Sequence, residues 1–158
     1  MMTESEERYA PEREDNNPIT IYLAGAIDHV SPEYALDWRK EAKRQFIEAG
    51  FKVNDPTDKK PLERSDISTY YSPEFIVTSD LDSIMQSDIL FVEMARKDIP
   101  YVGTSMEIRQ SFIWGKNIIV WGGPISYWVR YHADYIADEM QEAIDYTIKN
   151  FSRRLYGM

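Results

Sequence analysis

The 158-residue chain contains no cysteine, which removes disulfide frameworks, thiolate nucleophiles and thiolate metal sites from consideration. Histidine is almost as scarce: His29 and His132 lie far apart in sequence and argue against zinc chemistry. No apolar run approaches the roughly 20 residues that a membrane helix needs, and the first residues are acidic rather than basic as in a secretory signal, so the expectation is a cytoplasmic protein with no membrane partner. Basic residues are in deficit, 18 Lys and Arg against 27 Asp and Glu, for a net charge of −9. Nucleic-acid polymers and anionic surfaces are held by clustered cations, so a small molecule or a protein is the better-matched partner. Aromatic residues are plentiful (6 Phe, 4 Trp, 11 Tyr), and 43% of the chain is hydrophobic, enough to build the core of one domain.

Charge also divides the chain. Residues 1–18 carry Glu4, Glu6, Glu7, Glu12, Glu14 and Asp15 against Arg8 and Arg13, and close on Asn16-Asn17-Pro18. They read as a flexible acidic arm preceding a domain over 19–158. That domain opens on Ile19-Thr20-Ile21-Tyr22-Leu23-Ala24, a short, nearly continuous apolar run of the kind buried on both sheet faces. Ser31-Pro32-Glu33 then supplies an N-cap, a first-turn proline and an acidic first turn for a helix whose apolar positions are Ala35, Trp38, Ala42, Phe46 and Ala49. A short strand over 51–54 leads into a long polar stretch to about Ser72, a length more typical of functional loops than of connectors.

Ser72-Pro73-Glu74 repeats the capping signature for a helix with Val77, Leu81 and Ile84 on one face. The run Ile89-Leu90-Phe91-Val92 is a third strand. A helix is expected from about Thr104 to Trp114, a fourth strand over Ile118-Ile119-Val120-Trp121, a short helix within 125–131, and a fifth strand at Tyr135-Ile136-Ala137. Asp138 and Gln141 resemble a capping box for a last helix with Met140, Ala143, Ile144, Ile148 and Phe151 as its stripe. Strands alternating with helices at this spacing predict an α/β fold: a doubly wound, flavodoxin-like parallel sheet of about five strands with helices on both faces.

In such a sheet, ligands bind beyond the carboxyl ends of the strands. The glycines after the first strand match neither the dinucleotide fingerprint nor the P-loop, and Asp28 would repel a phosphate there. The segment Gly103-Thr104-Ser105-Met106-Glu107-Ile108 carries more chemistry. Its glycine permits a tight turn into a helix, and Glu107 is expected in the first turn, where the helix dipole favours a carboxylate. An ionised glutamate there suits a nucleophile for retaining glycosyl transfer, although first-turn acids also serve helix stability alone. Asp80, mid-helix and flanked by Ile76 and Ile84, is the candidate second carboxyl, because a partly buried acid beside an ionised one suits a proton donor. An acid on the boundary of an amphipathic helix explains the same spacing.

Together, Ile-Tyr-Leu-Ala-Gly at 21–25, Ser-Asp-Leu-Asp-Ser-Ile at 79–84, Ser-Asp-Ile-Leu-Phe-Val at 87–92, and Gly-Thr-Ser-Met-Glu-Ile at 103–108 followed by Gly-Lys at 115–116 resemble the nucleoside 2-deoxyribosyltransferase family. The resemblance spans about residues 19–148 and rests on the order and spacing of these segments. It implies an enzyme that cleaves the N-glycosidic bond of a 2′-deoxynucleoside and transfers the sugar to another nucleobase. The residue matching Glu107 would attack C1′, and that matching Asp80 would orient the sugar or assist protonation of the leaving base. Tyr22 and the Gly25 to Asp28 turn would wall the base and sugar site, Gly103 and Met106 would also bind substrate, and Tyr70, Tyr71 or Trp128 would stack on the base.

No cofactor and no metal is implied. Members often place a base-contacting aspartate six residues before the nucleophile; here that position is Tyr101, with Asp98 three residues earlier, so either Asp98 substitutes or base recognition differs. The family's C-terminal end can also close a neighbouring subunit's site, a position held here by residues 153–158, which implies a homo-oligomer; a frayed tail fits that segment as well. Trp121, Tyr127, Trp128 and Tyr131 fit either an interface or a core. Two alternatives stand beside the transferase: hydrolysis of a 2′-deoxynucleoside 5′-monophosphate at the same site, with Arg64 or Arg130 reaching the phosphate, and a non-catalytic nucleotide-binding module.

Overall fold

A computed structural model describes residues 17–59 and 72–152; the expectations for residues 1–16, Arg64, Tyr70, Tyr71 and 153–158 lie outside the described residues. Five strands form one sheet in the order β2-β1-β3-β4-β5, and every neighbouring pair is parallel. They are β1 (Thr20–Ala24), β2 (Lys52–Asn54), β3 (Ile89–Glu93), β4 (Asn117–Trp121) and β5 (Tyr135–Ala137). The helices are α1 (Pro32–Glu48), α2 (Pro73–Met85), α3 (Val102–Ile113), α4 (Tyr127–His132) and α5 (Met140–Phe151), with a 3-10 turn at Pro56–Lys59. This is the expected doubly wound α/β arrangement. Because β1 lies between β2 and β3, the chain reverses its direction of travel across the sheet there, and a crevice opens beyond the carboxyl ends of β1 and β3.

Strand periodicity sorts side chains to the two faces. Ile21, Leu23, Ile89, Phe91, Ile119 and Trp121 face α1 and α5, where they meet Trp38, Ala42, Phe46, Ala143 and Ile144. Phe46 is fully buried and packs edge-on against both Phe51 and Phe91 at centroid distances of 5.8 and 5.0 Å. On the other face, Tyr22, Ala24, Leu90, Val92, Ile118 and Val120 pack against Ile84, Ile108, Phe112 and Val129. Ser31 and Ser72 cap their helices as expected, accepting from the N–H groups of Tyr34 and Phe75, each at 3.1 Å. Each such cap contributes about 1 kcal/mol.

The structure corrects two expectations, the start of α3 and the last helix's capping box, and settles two further points. On α2, Ile84 is the buried residue, while Val77, 53% exposed, and Leu81 line the cavity described below. Helix α3 starts at Val102 rather than Thr104. The capping box at Asp138 and Gln141 does not form, since α5 is capped by Glu139 without a side-chain bond and Gln141 instead pairs with Gln45 and Asp145. Among the four aromatic residues left open between core and interface, Trp121 belongs to the core, edge-on to Trp38, whereas Tyr127, Trp128 and Tyr131 are exposed. Among the described residues no helix is long and apolar enough to cross a membrane.

Candidate active site

The crevice holds a cavity of about 390 Å³. Eight of the nine residues singled out in the sequence line it: Tyr22 from β1, Gly25 and Asp28 from the turn after it, Asp80 from α2, Tyr101 at the start of α3, and Gly103, Met106 and Glu107 on α3. The ninth, Asp98, does not. It is solvent-exposed and its carboxylate is taken by Arg96 at 2.7 and 2.9 Å, so the structure offers no shifted-loop substitute for the position that Tyr101 fills. Trp128 and Arg130 are likewise exposed and do not line the cavity.

Glu107 is anchored from the sheet. The Tyr22 hydroxyl donates to Glu107 Oε2 at 2.9 Å, across 85 residues of sequence. Burial pushes the Tyr22 phenol well above its ordinary value, and the charges of Glu107 and Asp80 push it the same way, against the opposing pull of Arg39. Both effects favour the neutral phenol, whose hydroxyl holds one carboxylate oxygen of Glu107. The expected help from the helix dipole is smaller than the sequence suggested. Since α3 begins at Val102, Glu107 is its sixth residue, beyond the first turn, and the dipole effect is largely confined to that turn.

The left-handed residue at the entry to α3 is Tyr101 (φ 50°), not Gly103, whose added Cβ would meet nothing within 4 Å. Of the two glycines lining the cavity, Gly25 is the one that packing demands: a Cβ there would sit 2.9 Å from both Glu93 Oε1 and Trp38. Two fully buried charged side chains at the site were passed over in the sequence: Arg39, which contributes to the cavity lining, and Glu93, which lies behind it. Arg39, on α1, donates to the carbonyls of Leu23 (3.3 Å), Ala35 (2.9 Å) and Gly25 (3.0 Å), with Asp55 Oδ1 3.8 Å away. Burial lowers the Arg39 guanidinium, while Asp55, Tyr22, Glu107 and Glu93 hold it charged. It ties the end of β1 to α1 beneath the acidic site.

Glu93, at the end of β3, accepts from the N–H groups of Ala26 (3.2 Å) and Ala95 (2.9 Å) and from the hydroxyls of Tyr34 (2.8 Å) and Tyr101. A carboxylate closing an otherwise apolar central strand was the available signal, because a buried charge requires partners. Among the described residues no group of three or more His, Asp or Glu side chains is placed to hold a metal ion.

No protein-family model and no curated protein matches the sequence. Solved structures do match the fold. A 2-deoxyribosyltransferase from Bacillus psychrosaccharolyticus superposes with a TM-score of 0.63 at 21% identity, covering 80% of this chain and 91% of that one. A 2-deoxyribosyltransferase from Leishmania mexicana gives 0.62 at 15% identity over 84% and 99% of the two chains. A CMP N-glycosidase from Clostridium botulinum gives 0.56 at 18% identity over 80% and 96%. The chain thus has the fold on which these enzymes are built, in agreement with the resemblance read from its segments. At these identities the likeness establishes the fold alone.

Proposed function

We propose that the protein cleaves the N-glycosidic bond of a 2′-deoxynucleoside and transfers the deoxyribosyl group to another nucleobase. The observation that carries this reading is the pair of carboxyl side chains, Glu107 and Asp80, lining one cavity, with Glu107 oriented by Tyr22. Glu107 attacks C1′ as the C1′–N bond breaks and its electron pair leaves with the base. Asp80 orients the sugar or supplies the proton that the departing nitrogen takes up. The product is a deoxyribosyl ester of Glu107. A second base then attacks C1′ from the vacated face, the ester bond breaks, and Glu107 is regenerated with overall retention. The missing 2′-hydroxyl eases formation of the oxocarbenium-like transition state, so two carboxyl groups and an orienting phenol are sufficient machinery. The fold shared with 2-deoxyribosyltransferases and a CMP N-glycosidase supports the same class of bond.

A free nucleoside fits the described lining better than a 5′-monophosphate. Asp28, Asp80 and Glu107 present carboxyl groups, and Arg39, the one Lys or Arg side chain among the described lining residues, is fully buried with backbone carbonyls on its N–H groups. The test is to incubate the protein with a deoxynucleoside plus a second free base, and separately with deoxynucleoside monophosphates. Base exchange is expected in the first reaction. Cleavage of monophosphates without base exchange would replace the transferase by the hydrolase.

A further inference from the structure

Glu93 lies on the face of the sheet opposite the cavity, yet both loops that shape the cavity mouth end on its carboxylate. Ala26 belongs to the turn after β1, while Ala95 and Tyr101 belong to the connection from β3 to α3. Tyr101 is the N-cap of α3, in the left-handed region (φ 50°) that a tyrosine rarely adopts, and no side-chain cap bond supports it. Such a conformation persists only where the surroundings over-determine it, and here they do. The Tyr101 hydroxyl donates to Glu93 and accepts the Arg96 N–H at 2.9 Å, while the Tyr101 carbonyl accepts the Ser105 N–H at 3.0 Å to open the helix. Glu107 follows six residues later. The missing side chain at Gly25 completes the fit, since a Cβ there would collide with Glu93 Oε1.

We propose that Glu93 is a positioning residue that, through the Tyr101 hydroxyl, sets the start of α3 and so the placement of Glu107 against the bond it attacks. The inference rests on Glu107 acting as the nucleophile, but it is tested separately from that reading. Glu93 is fully buried, so its replacement would probe folding as much as position. The informative pair is Tyr101→Phe and Tyr34→Phe. Each removes one hydroxyl from the same oxygen, Glu93 Oε2, but only Tyr101 leads into α3; Tyr34 sits on α1 and does not line the cavity.

Tyr101→Phe is expected to lower kcat by about ten- to a hundredfold with KM changed less than about threefold, because a misplacement of about 1 Å at a reacting group can cost about a hundredfold. It is also expected to speed amide hydrogen exchange at residues 105–107. Tyr34→Phe is expected to leave both within about twofold. Equal losses of kcat in the two variants, or unchanged kcat or unchanged exchange at 105–107 in Tyr101→Phe, would overturn the proposal. If the wild-type protein shows no glycosidic activity, the functional reading fails, and the exchange comparison still decides whether Glu93 sets the start of α3.

Discussion

The two faces of the sheet are built from similar residues and do different work. Against α1 and α5 the rings of Trp38, Phe46, Phe51, Phe91 and Trp121 interlock in a chain of tilted and edge-on contacts. Against α2 and α3 the packing stops short: Val77, Val102 and Met106 are exposed at the mouth of the cavity that holds Asp80 and Glu107. Glu93 and Glu107 repeat the contrast. Glu93 is fully buried with four donors, which leaves it little freedom to react, whereas Glu107 is partly exposed and opens onto space for a ligand. One face is closed by aromatic packing, and the other keeps a cavity, which on the proposed function is where the substrate sits.

Substitutions on the two faces should therefore separate activity from stability. Glu107→Gln keeps the shape of the side chain and removes the nucleophile; the account expects at least a thousandfold loss of kcat/KM, about 4 kcal/mol in the barrier, with the urea midpoint nearly unchanged. Comparable losses in both would merge the two faces. Phe46→Ala is the converse: a loss of about 3–5 kcal/mol in unfolding free energy, with activity per folded molecule retained at temperatures where the variant stays folded. A large fall in specific activity of fully folded Phe46→Ala would show that the closed face also shapes the site. Asp80→Asn should lower kcat by about a hundredfold, the size expected for removing a proton donor, and less for bases that leave readily without protonation. An equal loss for all bases would assign Asp80 to sugar orientation.

The smallest effect is set by pH. The phenols of Tyr22, Tyr34 and Tyr101 are all raised, by burial first and then by neighbouring carboxylates. In the unfolded chain they titrate near about 10, so the folded state holds their protons more tightly. Stability from this source is complete below about pH 10 and declines as pH rises through the raised folded values. Urea midpoints measured from pH 8 upward should be level at first and then fall, with a shallower fall in Tyr34→Phe. A midpoint that stays level well above pH 10 would contradict the assignment.

What could be read from the sequence was local. Ser31-Pro32 and Ser72-Pro73 mark helix starts within three residues, and the runs at 20–24, 89–92 and 118–121 are apolar enough to be central strands without knowledge of their neighbours. Glu107 and Asp80 were singled out from placements that helix stability and an amphipathic boundary explain equally, together with the family resemblance; what the sequence left open and the fold supplies is that both line one cavity. Arg39 and Glu93 were not, because their partners come from elsewhere in the chain: Glu93 meets Ala26 across 67 residues and Tyr34 across 59. The start of α3 was misplaced for a related reason. Gly103 drew the turn toward itself, whereas the left-handed residue is Tyr101, whose hydroxyl donates to the buried Glu93, and tyrosine has no intrinsic preference for that conformation.

The central claim is that Glu107 forms a covalent bond to the sugar. Incubation with a 2′-fluoro-2′-deoxynucleoside analogue, which slows breakdown of the glycosyl ester, followed by intact-mass measurement and peptide mapping, tests it most directly. The account predicts one glycosyl adduct per chain, located on the peptide containing Glu107, lost in Glu107→Gln and discharged by a free base. An adduct on another residue, or full turnover of deoxynucleosides by Glu107→Gln, would contradict it.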